Sequence, residues 1–254
     1  MLVADSVSII RSHKKLVDNV SLALNAGELV GLIGPNGAGK STLLNALAGL
    51  SACDRGTVSL DGTDIKRIKA VKRSRTLAWV AQSGPVNWPL SVERIVTLGR
   101  RPHLGAWQTL GEHDMRAIDA AINATDCETL RQQDATTLSG GERTRMLLAR
   151  ALATEPKILL ADEPVAALDL KHQLQTMNVL RNFSTGDRSC LVVLHDLSLA
   201  ARYCDRLYLM QQGKMVADGN TDEVLSANNL RNVYGVEVEN GQGDLPGGWR
   251  ITGE

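Results

Sequence analysis

Through residues 1–25, apolar and polar positions alternate, with Val7, Ile9, Val20, Leu22 and Leu24 on one side of the pattern. A period of two predicts antiparallel strands. Thr57–Leu60, the turn pair Asp61-Gly62 and Thr76–Val80 extend that strand-and-turn pattern. Between 113 and 130 the period lengthens, and Met115, Ile118 and Ile122 are spaced as one buried face of a helix. A helical run from Arg143 to Ala153 follows. Ile158–Ala161 and Leu191–Leu194 are short and wholly apolar, which predicts buried parallel strands flanked by helices. Ser198–Tyr203 reads as helix and Leu207–Met210 as strand. The glycine-rich final fourteen residues read as a short hairpin or a loose tail. No repeat or low-complexity linker interrupts the chain. The expectation is one α/β domain over 1–254, with a helical subdomain inserted at about 85–150 and a short tail from about 236.

Composition narrows the partners. The chain has 254 residues and a formal net charge of zero, so no global field favours nucleic acid or an anionic membrane. The basic run Lys66, Arg67, Lys69, Lys72, Arg73 and Arg75 has no interleaved aromatic to stack on bases. It reads as a solvated helix face, and nucleic acid is not expected as a partner. No apolar stretch is long enough to span a bilayer, and no secretory signal is expected at the N-terminus. Cys53, Cys127, Cys190 and Cys204 lack C-x-x-C spacing and read as free buried thiols.

Residues 34–42, Gly-Pro-Asn-Gly-Ala-Gly-Lys-Ser-Thr, form a complete phosphate-binding loop. The loop follows the apolar run Leu29–Ile33 and precedes Leu43, Leu44 and Leu47. Strand, glycine-rich loop and helix therefore stand in the order this chemistry needs. Gly34, Gly37 and Gly39 let backbone N–H groups curl around a polyphosphate. Lys40 can reach the β- and γ-phosphates, Ser41 can ligate Mg²⁺, and the helix start adds its positive dipole end. Pro35, Asn36, Ala38 and Thr42 complete the nucleotide-binding stretch.

Four further features carry chemistry. The Ile158–Ala161 run ends in Asp162-Glu163, and buried carboxylates need partners. Asp162 can serve the Mg²⁺ hydration shell and Glu163 can activate water; a pair capping a helix is the other reading. His195 follows Leu191–Leu194, where open α/β sheets place ligands, although a lone histidine after a strand is often structural. Ser139 and Glu142 in Leu138-Ser139-Gly140-Gly141-Glu142 form a capping box. Capping does not explain Gly140 and Gly141, whose bare amides at a helix start make a second anion site. A second such site suggests that two copies share one nucleotide. Gln82 ends the Leu77–Val80 segment and by itself is an ordinary loop residue.

With these residues the chain resembles ATP-binding-cassette nucleotide-binding domains from about residue 5 to 235. The resemblance implies a P-loop NTPase core with an N-terminal antiparallel β subdomain and an inserted α-helical subdomain. It implies ATP and Mg²⁺, with Mg²⁺ at Ser41, Gln82 and Asp162. It makes Glu163 the catalytic base and His195 the γ-phosphate switch. Ser139, Gly140 and Gly141 become the signature that closes over ATP held by a second subunit, and Leu168-Asp169 the loop linking two sites across a dimer. Two positions depart from the family. Arg11 stands where an aromatic usually stacks on adenine, and a guanidinium can still stack there. Val165-Ala166-Ala167 lacks the usual hydroxyl, which withdraws cross-dimer hydrogen bonding by Ala166 but leaves the role of Asp169.

Leu98-Gly99-Arg100-Arg101-Pro102-His103 and Leu168-Asp169-Leu170-Lys171-His172-Gln173 resemble the importers of iron chelates, haem and cobalamin. His103 and His172 lack partner ligands in the sequence and are not read as metal ligands. The resemblance thus implies an ATP-hydrolysing importer subunit, peripheral on the cytoplasmic face of a bacterial inner membrane. Its partners would be a second copy, a membrane permease and, indirectly, a periplasmic or surface substrate-binding protein. The lobe around Trp88–His103 would dock the permease. Exposed Trp88 and Trp107 would suit that interface, and burial of both in a core is the other reading. Alternatives from other classes are an exporter ATPase, a soluble cassette acting on ribosomes or DNA, and a structural nucleotide-binding module.

Overall fold

The computed structural model describes residues 1–82, 89–105, 107–240 and 249–253. The chain forms two compact units: Met1–Arg67 with Ser184–Glu254, and Ile68–Phe183.

In the first unit, strands Lys14–Leu24, Leu2–Arg11, Arg55–Leu60 and Thr63–Asp64 pair antiparallel in that order. Val7, Ile9, Val20, Leu22 and Leu24 are all buried, as the alternation requires. The pairing of the first two strands shifts register between Ala4 and Val7 and again beyond it. Ser6 in this stretch has a φ of 51°, and Ser8 turns inward to accept a hydrogen bond from the Asn19 N–H at 3.0 Å. These bulges place a polar side chain in an otherwise apolar layer.

A second sheet in this unit places strand Leu29–Ile33 parallel to both Arg206–Gln211 and Ser189–Val193, with Lys214–Gly219 antiparallel at the edge. Every residue of Leu29–Ile33 and Ser189–Val193 is buried, which explains their unbroken apolar character. Helix Leu197–Tyr203 is capped by Asp196, which accepts from the Ser198 and Leu199 N–H groups at 2.8 and 2.9 Å. Near the C-terminus, Glu237–Asn240, just before the final fourteen residues, pairs antiparallel with Trp249–Gly253.

The second unit has a parallel pair, Leu77–Val80 with Ile158–Asp162. Its helices include Ala70–Thr76, Val92–Thr97, Glu112–Ala124, Gly140–Leu152 and Leu170–Phe183. Val92, Val96, Ile118, Ile122, Met146 and Leu147 pack in one cluster. Truncating Ile118 or Ile122 to alanine there would cost about 2–5 kcal/mol. The expected apolar face of Glu112–Ala124 needs one correction: Met115 is 39 % exposed. Asp114 takes the inward place in the first turn, and the buried stripe runs Asp114, Ala117, Ile118, Ala121, Ile122. Asp114 can sit there because it accepts from Arg100 Nε at 2.8 Å and the Gly111 N–H at 2.9 Å. Those donors hold its carboxyl below the usual carboxylate range, the Gly111 N–H most strongly.

No residue of Ala70–Thr76 is buried, so the basic run there is solvated. Cys127, Cys190 and Cys204 are buried free thiols, while Cys53 is only half-buried. Among the described residues no helix is long and apolar enough to cross a membrane.

Candidate functional site

The phosphate loop leaves the buried strand Leu29–Ile33 and enters helix Lys40–Leu47. Gly39 is the N-cap at a φ of 101°, with no side-chain cap and no acidic residue in the first turn. A Cβ on Gly39 would lie 2.3 Å from the Leu16 carbonyl oxygen, so only glycine fits. No side chain caps this helix and no acid in its first turn opposes the dipole, so its N-terminal end favours an anion. Lys40 is buried, and its ammonium donates to the carbonyls of Gly34 at 2.7 Å and Pro35 at 3.0 Å. Asn36 and Gly37 are exposed at the loop tip, and Ser41 and Thr42 are half-buried. These residues fit a polyphosphate with its Mg²⁺: amides and a lysine for the phosphates, a hydroxyl for the metal.

Tyr234 was not marked by any motif. It ends helix Ala227–Tyr234, and the Gly34 N–H donates to its phenol oxygen. Burial nevertheless pushes the phenol well above its ordinary pKa. No local signal could have found it, since the contact joins residues two hundred positions apart.

Arg11 ends strand Leu2–Arg11. Its Nη1 donates to the Ile10 carbonyl at 2.7 Å and to Asp54 Oδ2 at 3.3 Å, and its side chain is half exposed. His195 is exposed just beyond strand Ser189–Val193, next to the capping residue Asp196.

In the second unit, Asp162 is the buried last residue of its strand, and Glu163 follows at a φ of 50°. A left-handed glutamate costs of order 1–3 kcal/mol, and such strain concentrates at functional positions. Gln82 Nε2 donates to Glu163 Oε2 at 2.5 Å, so a residue with no local signal is joined directly to the candidate base. The helix-cap reading of Asp162-Glu163 is overturned. The chain turns at 163–166, and the next helix starts only at Leu170.

Ser139 caps helix Gly140–Leu152 in a complete capping box. The Glu142 N–H donates to Ser139 Oγ at 3.3 Å, and Glu142 Oε2 accepts from the Ser139 N–H at 2.9 Å and its hydroxyl at 2.8 Å. Those donors, the backbone N–H first, hold the Glu142 carboxyl below its ordinary range. The box uses the amides of Ser139 and Glu142 and involves neither of those of Gly140 and Gly141. Ser139 and Gly140 are exposed. In the loop that follows Glu163, Val165 and Leu168 are buried while Ala166, Ala167 and Asp169 are exposed.

Leu98–His103 proves to be mainly an internal fastener. It is a short 3₁₀ turn, and Gly99 and Arg100 are buried. Arg100 is 2 % exposed and ties Asp114, the Ala153 carbonyl and Glu155, each at 2.8 Å. His103 Nε2 lies 2.9 Å from the Thr154 carbonyl, and Pro102 accepts from Arg75 Nε at 2.7 Å. Only Leu98 and Arg101 of the motif are exposed. Leu98 borders a cavity of about 280 Å³ with Trp79, Pro102 and Arg150. Trp107 is 97 % exposed, which removes the burial reading for that residue; Trp88 lies outside the described residues.

Residues 17–166 match the family model of ABC transporters. The hemin import ATP-binding protein HmuV of Pseudomonas aeruginosa is 42 % identical over 94 % of each chain. The cobalamin import ATP-binding protein BtuD of Halobacterium salinarum is 39 % identical over 94 % of this chain, which spans 60 % of that longer relative. The dimeric cassette MJ0796, bound to ADP and Pi, superposes with a TM-score of 0.76 at 26 % identity, over 87 % of this chain and 98 % of that one. An inward-facing transporter assigned to the metal-chelate ABC type shares the fold at a TM-score of 0.83 and 23 % identity, over 100 % of this chain and 96 % of that one. The family-model match over more than half of the chain and the 42 % identity to a relative covered almost end to end show that the chain belongs to the ABC transporter family.

Proposed function

We propose that this chain is the ATP-hydrolysing subunit of a membrane importer for haem, cobalamin or an iron chelate. The observation that carries this reading is the full-length likeness to a hemin import ATP-binding protein, with 42 % identity over 94 % of both chains. Two copies would hold ATP, each phosphate loop facing the Ser139–Gly141 amides of the other copy. Residues 34–42 would cradle the phosphates, with Lys40 on the β- and γ-phosphates and Arg11 against adenine. Ser41, Asp162 and Gln82 would hold Mg²⁺, which supplies charge neutralisation on the phosphates when bound. Glu163 would accept a proton from the attacking water, and His195 would contact the γ-phosphate. Asp169 would reach across the dimer.

A separate permease would supply the membrane span, placing this chain on the cytoplasmic face of the membrane. The cavity beside Leu98 and Trp79 would receive a side chain of such a permease, and Trp107 offers a second anchor. A substrate-binding protein outside the membrane would deliver the cargo. The test is deletion of this chain followed by whole-cell uptake of labelled haem, ferric siderophores and cobalamin. Loss of one uptake, restored by the intact chain, is expected. Undiminished uptake of all three with loss of an efflux phenotype would overturn the importer reading.

A further inference from the structure

Asp169 precedes helix Leu170–Phe183, and one residue engages it twice. The His172 backbone N–H donates to Asp169 Oδ1 at 2.9 Å, and ring Nδ1 lies 2.8 Å from the same oxygen. A carboxylate only accepts, so the ring carries hydrogen at Nδ1. The opposite ring nitrogen, Nε2, faces Asp126 Oδ2 at 3.9 Å, and Asp126 Oδ2 stands 3.5 Å from Arg145 Nη1. The His172 side chain is 23 % exposed and that of Asp169 is 66 %. An ordinary helix cap needs only the backbone N–H. The ring adds a second donor to the same oxygen, which fixes the orientation of an otherwise exposed carboxylate.

The loop before Asp169 is also pressed against the signature helix. A Cβ on Gly141 would lie 3.1 Å from Leu168 Cδ2 and 3.2 Å from the Ala167 carbonyl oxygen. Glu142 and Arg145 of that same helix are the further charged groups near the ring. His172 thus stands between Asp169, which it hydrogen-bonds, and Asp126, which precedes the Ser139–Gly141 signature.

We propose that His172 is a positioning residue: its backbone N–H and ring together hold the Asp169 carboxylate in one orientation, so that the Asp169 loop meets a second copy of this chain in a fixed geometry. This rests on the two-copy reading above. Removing the ring frees Asp169 while leaving the phosphate loop of the same chain intact. ATP binding to one copy therefore survives, and communication between the two sites is lost.

The experiment is steady-state hydrolysis by the full-length chain across ATP concentration, with His172→Ala and His172→Asn. Expected for His172→Ala is a Hill coefficient falling from above 1 toward 1 and a kcat lower by at least ~5-fold, with KM within about twofold. Asparagine carries an N–H donor near the place of Nδ1. His172→Asn is therefore expected to recover most of both losses. An unchanged Hill coefficient and kcat in His172→Ala, or an asparagine variant as impaired as alanine, would overturn the inference. If His172→Ala does not fold, His172→Phe removes the ring donor while keeping the ring's bulk: a lowered Hill coefficient supports the inference and an unchanged one overturns it. Glu163→Gln with ATP on size-exclusion chromatography separates the two levels. A dimer there alongside a neutral His172→Ala sinks only the positioning role. No dimer, and a Hill coefficient of 1 in the parent chain, overturns the two-copy reading together with the inference.

Discussion

Two glycine-bearing helix starts in this molecule are finished in opposite ways. Helix Lys40–Leu47 begins at Gly39 with no side-chain cap and no acidic residue in its first turn. Helix Gly140–Leu152 begins at Ser139 inside a closed capping box, with Glu142 in its first turn. A start with no side-chain cap and no acid leaves the helix dipole to attract an anion, so it favours tight occupancy. A capped start is stable without a ligand, because its carboxylate already answers part of the dipole. It suits an anion that comes and goes. The contrast matches the proposed roles: one end holds the nucleotide of its own chain, the other closes over that of the partner and lets go.

The largest expected effect separates closing from chemistry. Glu163→Gln should lower ATP hydrolysis by at least ~10²-fold while leaving ATP binding intact, since a neutral amide cannot act as base. Phosphate release and nucleotide binding, measured side by side, check this; near-normal turnover would remove Glu163 from that role. The Gln82 contact survives in altered form, because an amide oxygen still accepts from Gln82 Nε2.

The next prediction sets the two caps against each other. Gly39→Ala forces a φ of 101° on a residue with a Cβ and drives that Cβ to 2.3 Å from the Leu16 carbonyl. It should lose nucleotide binding in the single chain and destabilise it by about 1–3 kcal/mol. Ser139→Ala should cost only about 1 kcal/mol. It should leave single-chain ATP binding unchanged and lower turnover. Calorimetric melting with binding titrations decides; equal losses of ATP binding in both variants would erase the distinction drawn here.

The box also has a pH signature. The folded Glu142 carboxyl lies below its ordinary value of 4.5. Its stabilising effect is therefore complete above that value and is lost as pH falls through the lowered folded pKa. Acid unfolding of Glu142→Gln should show a shallower decline below the ordinary carboxylate range than the parent chain. Superimposable acid profiles would mean the box contributes nothing in solution.

The smallest effect belongs to Arg11. Its guanidinium shares an exposed pair with Asp54, which is worth little to stability. If it also covers adenine, Arg11→Ala should weaken ATP binding by about 1 kcal/mol with melting almost unchanged. Unchanged ATP affinity would leave Arg11 as the partner of Asp54 alone.

Much of this was legible along the chain because it depends on neighbours in sequence. The glycine spacing of 34–39, the apolar runs at Leu29–Ile33 and Leu191–Leu194, and the Ser139–Glu142 spacing each act within a few residues. The Met115 face failed for a tertiary reason. Arg100, fourteen residues earlier, draws Asp114 inward and turns the helix so that Met115 faces out. The Leu98–His103 motif carries the likeness to importers, and within it Arg100 and His103 bind the end of helix Gly140–Leu152 while Leu98 and Arg101 stay exposed. A motif records which residues are required, not which way they point.

By itself the sequence determined the phosphate loop, the two capped or uncapped helix starts and the buried strands, because backbone conformation and burial follow from local residue type and period. Only the tertiary structure decided the rest: that Gln82 meets Glu163, that Tyr234 reaches Gly34, that His172 stands between Asp169 and Asp126, and that Trp107 stands in solvent. Apart from the short His172–Asp169 step, these are contacts across tens to hundreds of residues, or exposures set by what packs nearby. They are selected by the packing of whole elements, to which no window of sequence has access.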